Sequence, residues 1–175
     1  MRKIPFCLPL INNDVEKEVL SCLNETGWLT TGPKVKELED QITELCQTRS
    51  TICVNSWTSG MLLLIRWLDL DQDDEIIVPT YTYAASAFSV INSRIKCVFV
   101  DVNSDFTINI DEVEKAITKK TKAIMPVDLG GLPIDYIALN NLLSKESVTS
   151  KFTPKTDFQR KIGRPIVLSD AAHSI

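Results

Sequence analysis

The segment PIVLSDAAHSI, residues 165–175, is the strongest indicator of the fold that we predict for this chain. Its apolar residues predict a buried strand from Ile166 to Leu168, which delivers an acidic residue, Asp170, to its carboxyl end. In open α/β sheets the ligand crevice lies just beyond the carboxyl ends of the strands. A carboxylate there, beside two small alanines, is suited to holding a protonated heterocycle. The single histidine of the sequence, His173, follows three residues later.

Short apolar strands alternate with helical patterns upstream of this segment. Strands are predicted over 51–54, 75–79, 95–102, 122–127 and 165–169. Helices are predicted over 61–68, after Tyr83 up to about 92, and over 111–118 and 134–143. The helix at 61–68 is apolar nearly all round and is therefore expected to be buried. This alternation is typical of a mostly parallel sheet covered on both faces. We predict a single three-layer α/β domain over residues 1–175, with a polar, little-structured insertion at 144–163.

The first fifty residues carry an extended arm at 4–11 and two helical patterns. Asn13, with Glu16 three residues later, resembles a capping box at the start of the first helix. Gly27 is expected to end that helix, and Pro33 suits the first turn of the second. The second helix is predicted to be amphipathic, with these apolar residues at helical spacing: Val35, Leu38, Ile42 and Leu45.

Charge and cysteine content argue against several classes of protein. The net charge of −4, a pI near 5.1 and the lack of a lysine- or arginine-rich run argue against a nucleic-acid partner. No run approaches the length of a membrane span, and the first residues lack a signal-peptide pattern, so we expect a cytoplasmic protein without a membrane partner. Five cysteines without a CxxC pair predict free thiols and no metal site.

The turn Thr58-Ser59-Gly60 is the strongest candidate for an anion site. It opens a helix directly after a predicted strand, so backbone N–H groups and the helix dipole point at whatever lies above the strand end. Its two hydroxyl groups add donors suited to a phosphate. Capping of the helix by Ser56 or Thr58 explains the same residues without a ligand. The turn is neither a P-loop nor a dinucleotide fingerprint.

Three further side chains are candidates because they also lie at or just past predicted strand ends, where one pocket could collect them. Tyr83 could lay its ring over a flat ligand, or it could simply pack between helix and sheet. Asp170 could instead cap whatever follows it. His173 could be an ordinary surface or core histidine.

Several segments together resemble the sugar aminotransferases of the DegT/DnrJ/EryC1/StrS family. In family order they are GWLTTGP at 27–33, VPTYTY at 78–83, VFVDV at 98–102, TKAIMPV at 121–127 and SDAAH at 169–173. The resemblance implies the fold-type-I architecture of pyridoxal 5′-phosphate (PLP) enzymes, the aspartate aminotransferase-like fold. It also implies transfer of an amino group, usually from glutamate, to a keto carbon of a nucleotide-linked sugar.

The resemblance further implies how the cofactor would be held. Thr58 and Ser59 would hold the phosphate of PLP, and Tyr83 would stack on the pyridine ring. Asp170 would pair with the pyridine nitrogen, where a buried carboxylate favours the protonated state that makes PLP an electron sink. His173 would lie near the phenolic oxygen of the ring.

For the substrate, the resemblance implies a site bordered by Trp28, Thr30 and Thr31, near the interface of a homodimer. The expected partners are therefore a nucleotide-sugar, an amino donor and a second subunit. Three departures from the family pattern bear on the substrate, one of which is that the insertion at 144–163 is longer than usual. Trp57 stands where many relatives have a small residue, and DLGG at 128–131 stands where many have a histidine.

Relatives carry the lysine that binds the cofactor further along than residue 175, and no lysine here lies in the corresponding motif. We therefore expect the catalytic lysine beyond Ile175 and predict that the 175-residue chain, as the N-terminal part of the PLP-binding domain, is inactive alone. Two other hypotheses stay open. One is a sugar dehydratase of the same family, in which histidine replaces the lysine. The other is a non-catalytic PLP-fold protein.

Overall fold

The computed structural model describes residue 4 and residues 8–174. The chain divides into two units, residues 1–53 and 54–175. The first unit contains helix α1 (Asn13–Ser21), a π-helical turn (Cys22–Thr26) and helix α2 (Pro33–Leu45). Residues 4 and 8–11 of the expected arm have no regular secondary structure, and residues 5–7 lie outside the described residues.

Asn12, not Asn13, caps the first helix. Its side-chain oxygen accepts hydrogen bonds from the backbone N–H groups of Asp14 and Val15 at 3.1 and 3.0 Å. The predicted cap is therefore wrong by one residue, because two adjacent asparagines offer equivalent side chains. Gly27 ends the helical run with a φ of 65°, and Pro33 is the first residue of α2, as predicted.

The predicted strand at 51–54 is wrong. In the described residues this stretch has no strand partner. Hydrogen bonds to side chains of α2 hold it instead. The Glu39 carboxylate accepts a hydrogen bond from the Cys53 N–H at 2.9 Å, and the Thr43 and Thr51 hydroxyls lie 2.8 Å apart. β-Branched residues favour strands only where a neighbouring strand provides the ladder and the packing.

The second unit alternates strands and helices. The strands are β1 (Glu75–Pro79), β2 (Lys96–Val100), β3 (Thr121–Ile124) and β4 (Ile166–Val167). The helices are α3 (Trp57–Trp67), α4 (Ala84–Asn92), α5 (Ile110–Ala116), α6 (Tyr136–Leu143), α7 (Glu146–Thr149) and α8 (Asp157–Ile162), with a 3₁₀ turn at Leu129–Gly131.

The four strands form one sheet in the order β2-β1-β3-β4, and every pairing is parallel. Side chains of β1 alternate between its two faces. Ile77 packs in a cluster with residues of α5, α6 and α7, while Ile76 and Val78 pack in another cluster with residues of α3 and α4. The second unit is thus a three-layer α/β sandwich with a parallel sheet, and the predicted fold class is confirmed.

Two predictions for this unit are wrong. Helix α3 is not buried all round: Met61 and Ile65 are buried, whereas Leu63 and Trp67 are more than 60% exposed. The insertion at 144–163 is not unstructured, since it contains α7 and α8. It contributes three buried residues, Val148, Phe152 and Gln159. A few buried side chains, apolar and polar, thus anchor this polar segment to the domain.

Candidate functional site

A cavity of about 180 Å³ lies where the chain leaves the carboxyl ends of β1, β3 and β4 and meets the start of α3. Four of the five predicted cofactor-binding residues line it, namely Thr58, Tyr83, Asp170 and His173. Ser59 is not among the lining residues. The sheet brings the four together because the carboxyl ends of parallel strands meet at one edge.

Asp170 is buried at the bottom of this edge with 6% of its surface exposed. Its Oδ2 accepts a hydrogen bond from the Ser86 hydroxyl at 2.8 Å, and its Oδ1 accepts one from the Ala172 N–H at 3.3 Å. The Ser86 hydroxyl lies 2.7 Å from that of Thr82. A carboxylate offers about four lone-pair positions, so Asp170 can accept a further donor.

A second buried carboxylate, Asp128, lines the same cavity, and no role in the site was predicted for it. Its Oδ1 accepts hydrogen bonds from the Tyr136 hydroxyl at 2.9 Å and the Ile134 N–H at 3.1 Å. Its Oδ2 accepts one from the Ser174 hydroxyl at 2.6 Å. The signal for it was its place directly after the predicted strand at 122–127, just as Asp170 directly follows the predicted strand at 165–169.

The Tyr136 hydroxyl connects the two acidic segments, because it is also hydrogen-bonded to the hydroxyl of Ser169. Burial raises the pKa of Tyr136 to about 12; Asp128 acts in the same direction and Ser169 opposes it. The phenol is therefore a neutral donor across the physiological range.

The start of α3 is capped by Ser56, so the capping interpretation is correct for that residue. The Ser59 N–H donates to Ser56 Oγ at 3.1 Å, and Ser56 Oγ donates to Ser59 Oγ at 2.9 Å. Thr58 and Trp57 nevertheless line the cavity. Capping and contact with the cavity are thus divided among neighbouring residues.

Tyr83 immediately precedes α4 and is 81% exposed, so it does not pack between helix and sheet. Its side chain borders the cavity together with Ala85. Trp28, Thr30 and Thr31 belong to the first unit. There Trp28 and Thr30 border an open groove between α1 and α2, whereas Thr31 does not.

The cysteines of the described residues, Cys22, Cys46, Cys53 and Cys97, are all free thiols, and Cys7 lies outside the described residues. Burial raises the pKa of the Cys97 thiol to about 11, which keeps it protonated and unreactive. In the described part of the chain, no three histidine, cysteine or acidic side chains lie together as metal ligands would. Among the same residues, no helix is both long and apolar enough to span a membrane.

The fold and the cavity define a parallel α/β domain with a buried acidic residue beside an exposed aromatic ring at the strand ends. Residues 9–149 match the model of the DegT/DnrJ/EryC1/StrS aminotransferase family. The chain belongs to this family.

Named relatives agree with this assignment. The chain is 31% identical over 174 residues to the spore coat polysaccharide biosynthesis protein SpsC of Bacillus subtilis, covering 98% of this chain and 40% of that protein. The PLP form of the putative sugar aminotransferase Spr1654 from Streptococcus pneumoniae is 39% identical with a TM-score of 0.92, covering 99% of this chain and 44% of that one.

A structure of GDP-4-keto-6-deoxymannose-3-dehydratase with a trapped PLP-glutamate geminal diamine superposes with a TM-score of 0.81 over 99% of this chain and 42% of that one. At 23% identity this likeness shows the shared fold alone. The present chain thus spans roughly two fifths of the length of the proteins that it matches.

Proposed function

We propose that this chain belongs to an enzyme that uses PLP to transfer an amino group to a keto group of a nucleotide-linked sugar in polysaccharide biosynthesis. The observation that carries the proposal is the placement of buried Asp170 in one cavity with Tyr83, His173 and Thr58. Family membership and the 39% identity to Spr1654 support the choice of cofactor and reaction.

The described residues fit PLP at its ring. The cofactor acts as an electron sink and does so best with its ring nitrogen protonated, and a buried carboxylate favours that proton. Asp170 is fixed for this task by Ser86 and Ala172 and retains acceptor capacity. Tyr83 would cover the ring from the open side of the cavity, and His173 would lie beside it.

The start of α3 would hold the phosphate. Ser59 Oγ accepts its hydrogen bond from Ser56, so its own proton remains for donation to an anion. Thr58 contributes a hydroxyl at the cavity wall, and the helix N-terminus favours negative charge. These residues would anchor the cofactor and fix the position of its ring over Asp170.

The remaining parts of the proposal come from the family resemblance. The substrate would be bordered by Trp28, Thr30 and Thr31 in a cytoplasmic homodimer, and glutamate would be the amino donor. The described side chains that line the cavity include no lysine. We infer that the lysine that would bind the cofactor and move protons in the reaction comes from outside these 175 residues, which form the N-terminal part of the PLP-binding domain.

The test is to titrate PLP into the purified chain and follow cofactor absorbance and fluorescence. We expect saturable binding that Asp170→Asn weakens about tenfold or more, since a hydrogen bond to a charged group is worth about 1.5–3 kcal/mol. Asp157→Asn, at an exposed position on α8, is the matched control and leaves binding unchanged. A folded chain that binds no PLP would overturn the cofactor assignment.

The reaction is tested separately with glutamate and nucleotide-linked keto-sugars. The 175-residue chain alone is expected to form no amino sugar, whereas a protein that also supplies the lysine is expected to form it. Conversion of the keto-sugar to a deoxy product without nitrogen would favour the dehydratase hypothesis instead. Amino-sugar formation by the 175-residue chain alone would contradict the inferred origin of the lysine.

A further inference from the structure

We propose that the turn at Leu129–Gly131 is a positioning element for His173, and that it selects the tautomer in which the neutral ring carries its proton on Nε2. The value of this arrangement for a bound cofactor rests on the function proposed above. The hydrogen bond that fixes the ring does not depend on that proposed function.

The segments that follow β3 and β4 run side by side. Val127 and Asp170 form a parallel bridge, the Asp170 N–H donates to the Pro126 carbonyl at 2.9 Å, and the Asp128 N–H donates to the Asp170 carbonyl at 3.0 Å. The turn on one segment is therefore held at a fixed distance from the residues that follow Asp170 on the other.

The turn brings a backbone donor to the histidine ring. The Gly130 N–H donates to Nδ1 of His173 at 3.2 Å. Gly130 and Gly131 have φ angles of 62° and 85°, which side-chain-bearing residues rarely adopt. A Cβ at Gly131 would also lie 3.1 Å from the His173 carbonyl oxygen, whereas a Cβ at Gly130 would meet nothing within 4 Å. Gly131 is thus required both for the turn and for its close approach to His173.

A second contact holds the chain next to the ring. The buried Asp128 carboxylate accepts a hydrogen bond from the hydroxyl of Ser174, the neighbour of His173, at 2.6 Å. The residues at 128–131 therefore donate to the His173 ring, pass close to its carbonyl and hold the following residue. A sequence departure from the family pattern, DLGG in place of a histidine-containing segment, has a physical role in this chain.

The hydrogen bond determines which ring nitrogen carries the proton. A nitrogen that accepts from a backbone N–H has no proton of its own, so neutral His173 carries its proton on Nε2. Because His173 lines the cavity, Nε2 would offer a hydrogen-bond donor to an oxygen of a ligand there. This is the tautomer that a phenolate oxygen beside the ring would require.

The direct test is nitrogen NMR on the uniformly ¹⁵N-labelled chain above the ordinary histidine pKa of about 6.5. The sequence contains one histidine, and His173→Gln confirms its signals. We expect an unprotonated Nδ1, a protonated Nε2 and a scalar coupling through the hydrogen bond between the Gly130 nitrogen and Nδ1. A protonated Nδ1, or an unprotonated Nδ1 without that coupling, would overturn the proposal.

The role in positioning is tested with a matched pair of variants. Gly131→Ala adds a side chain at positive φ and against the His173 carbonyl, whereas Gly163→Ala adds one at a φ of 69° with nothing within 4 Å. We expect Gly131→Ala to shift the His173 nitrogen signals and weaken PLP binding several-fold, and Gly163→Ala to leave both unchanged. Equal behaviour of the two variants would refute the role in positioning.

The two proposals fail in different ways. If the coupling is present but PLP does not bind, the turn positions His173 and the proposed function is wrong. If PLP binds but the coupling is absent, the function stands and the inference about the turn is wrong.

Discussion

Ser86 and Asp170 are hydrogen-bonded from Oγ to Oδ2 at 2.8 Å although they lie 84 positions apart in the chain. Both residues are buried. The bond joins the first turn of α4 to the segment that follows β4, and it links the Thr82 hydroxyl to the same carboxylate through Ser86. The orientation of Asp170 in the cavity therefore depends on a helix that begins directly after Tyr83.

Ser86→Ala is expected to weaken PLP binding about tenfold, since a hydrogen bond to a charged group is worth about 1.5–3 kcal/mol and its loss frees the carboxylate to turn. The measurement is a fluorescence titration with PLP. Ser144→Ala removes a hydroxyl that donates to a backbone carbonyl on the exposed side of α6, and it should leave affinity unchanged. Unaltered PLP affinity in Ser86→Ala would show that this bond does not orient Asp170.

Asp128 offers a prediction about stability, because its buried carboxylate accepts three hydrogen bonds. Asp128→Ala leaves the Ile134 N–H and two hydroxyl groups without their acceptor and should lower the free energy of unfolding by about 2–4 kcal/mol. Asp128→Asn keeps the shape and one acceptor oxygen and should cost less than half as much. Urea unfolding measures both variants. An equal loss in the two would mean that the charge, not the hydrogen-bond pattern, matters.

The parallel sheet and its strand ends could be predicted from the sequence because apolar strands and helices alternate at short spacing. That regularity also placed Thr58, Tyr83, Asp170 and His173 at one edge. The contacts that hold those residues could not be predicted, because they join positions far apart in the chain. Ser86 looks like any serine of an alanine-rich helix, and only the packing of α4 on the sheet points its hydroxyl at Asp170.

The same limit explains the errors outside the site. The residues at 51–54 have strand-forming side chains but no strand beside them in the described part of the chain. The insertion at 144–163 is polar on average, yet Gln159 is fully buried in it. Average composition does not reveal a single side chain that finds its partners in another element.

Tyr136 provides a test at high pH. Its pKa is about 12 in the folded chain against an ordinary value of 10.0. A pKa that is raised on folding stabilises the fold fully below pH 10, and this stabilisation is lost as the pH rises toward about 12. The free energy of unfolding should therefore fall more steeply over this interval in the unmodified chain than in Tyr136→Phe. Parallel pH profiles for the two proteins would contradict the assigned pKa shift.

Gln159 is the anchor of the insertion at 144–163, and its removal is expected to destabilise the domain. Its Nε2 donates to the Leu68 carbonyl at 3.3 Å, and its Oε1 accepts from the Lys155 N–H at 2.8 Å. Gln159→Ala leaves both backbone groups unpaired and opens a cavity, so we expect a loss of about 2–4 kcal/mol in the free energy of unfolding.

Gln72→Ala, in an exposed turn, is the control and should change the free energy of unfolding by less than about 0.5 kcal/mol. Hydrogen exchange at α8 should rise in Gln159→Ala before the rest of the sheet opens. A Gln159→Ala variant as stable as Gln72→Ala would show that the Gln159 side chain does not anchor the insertion.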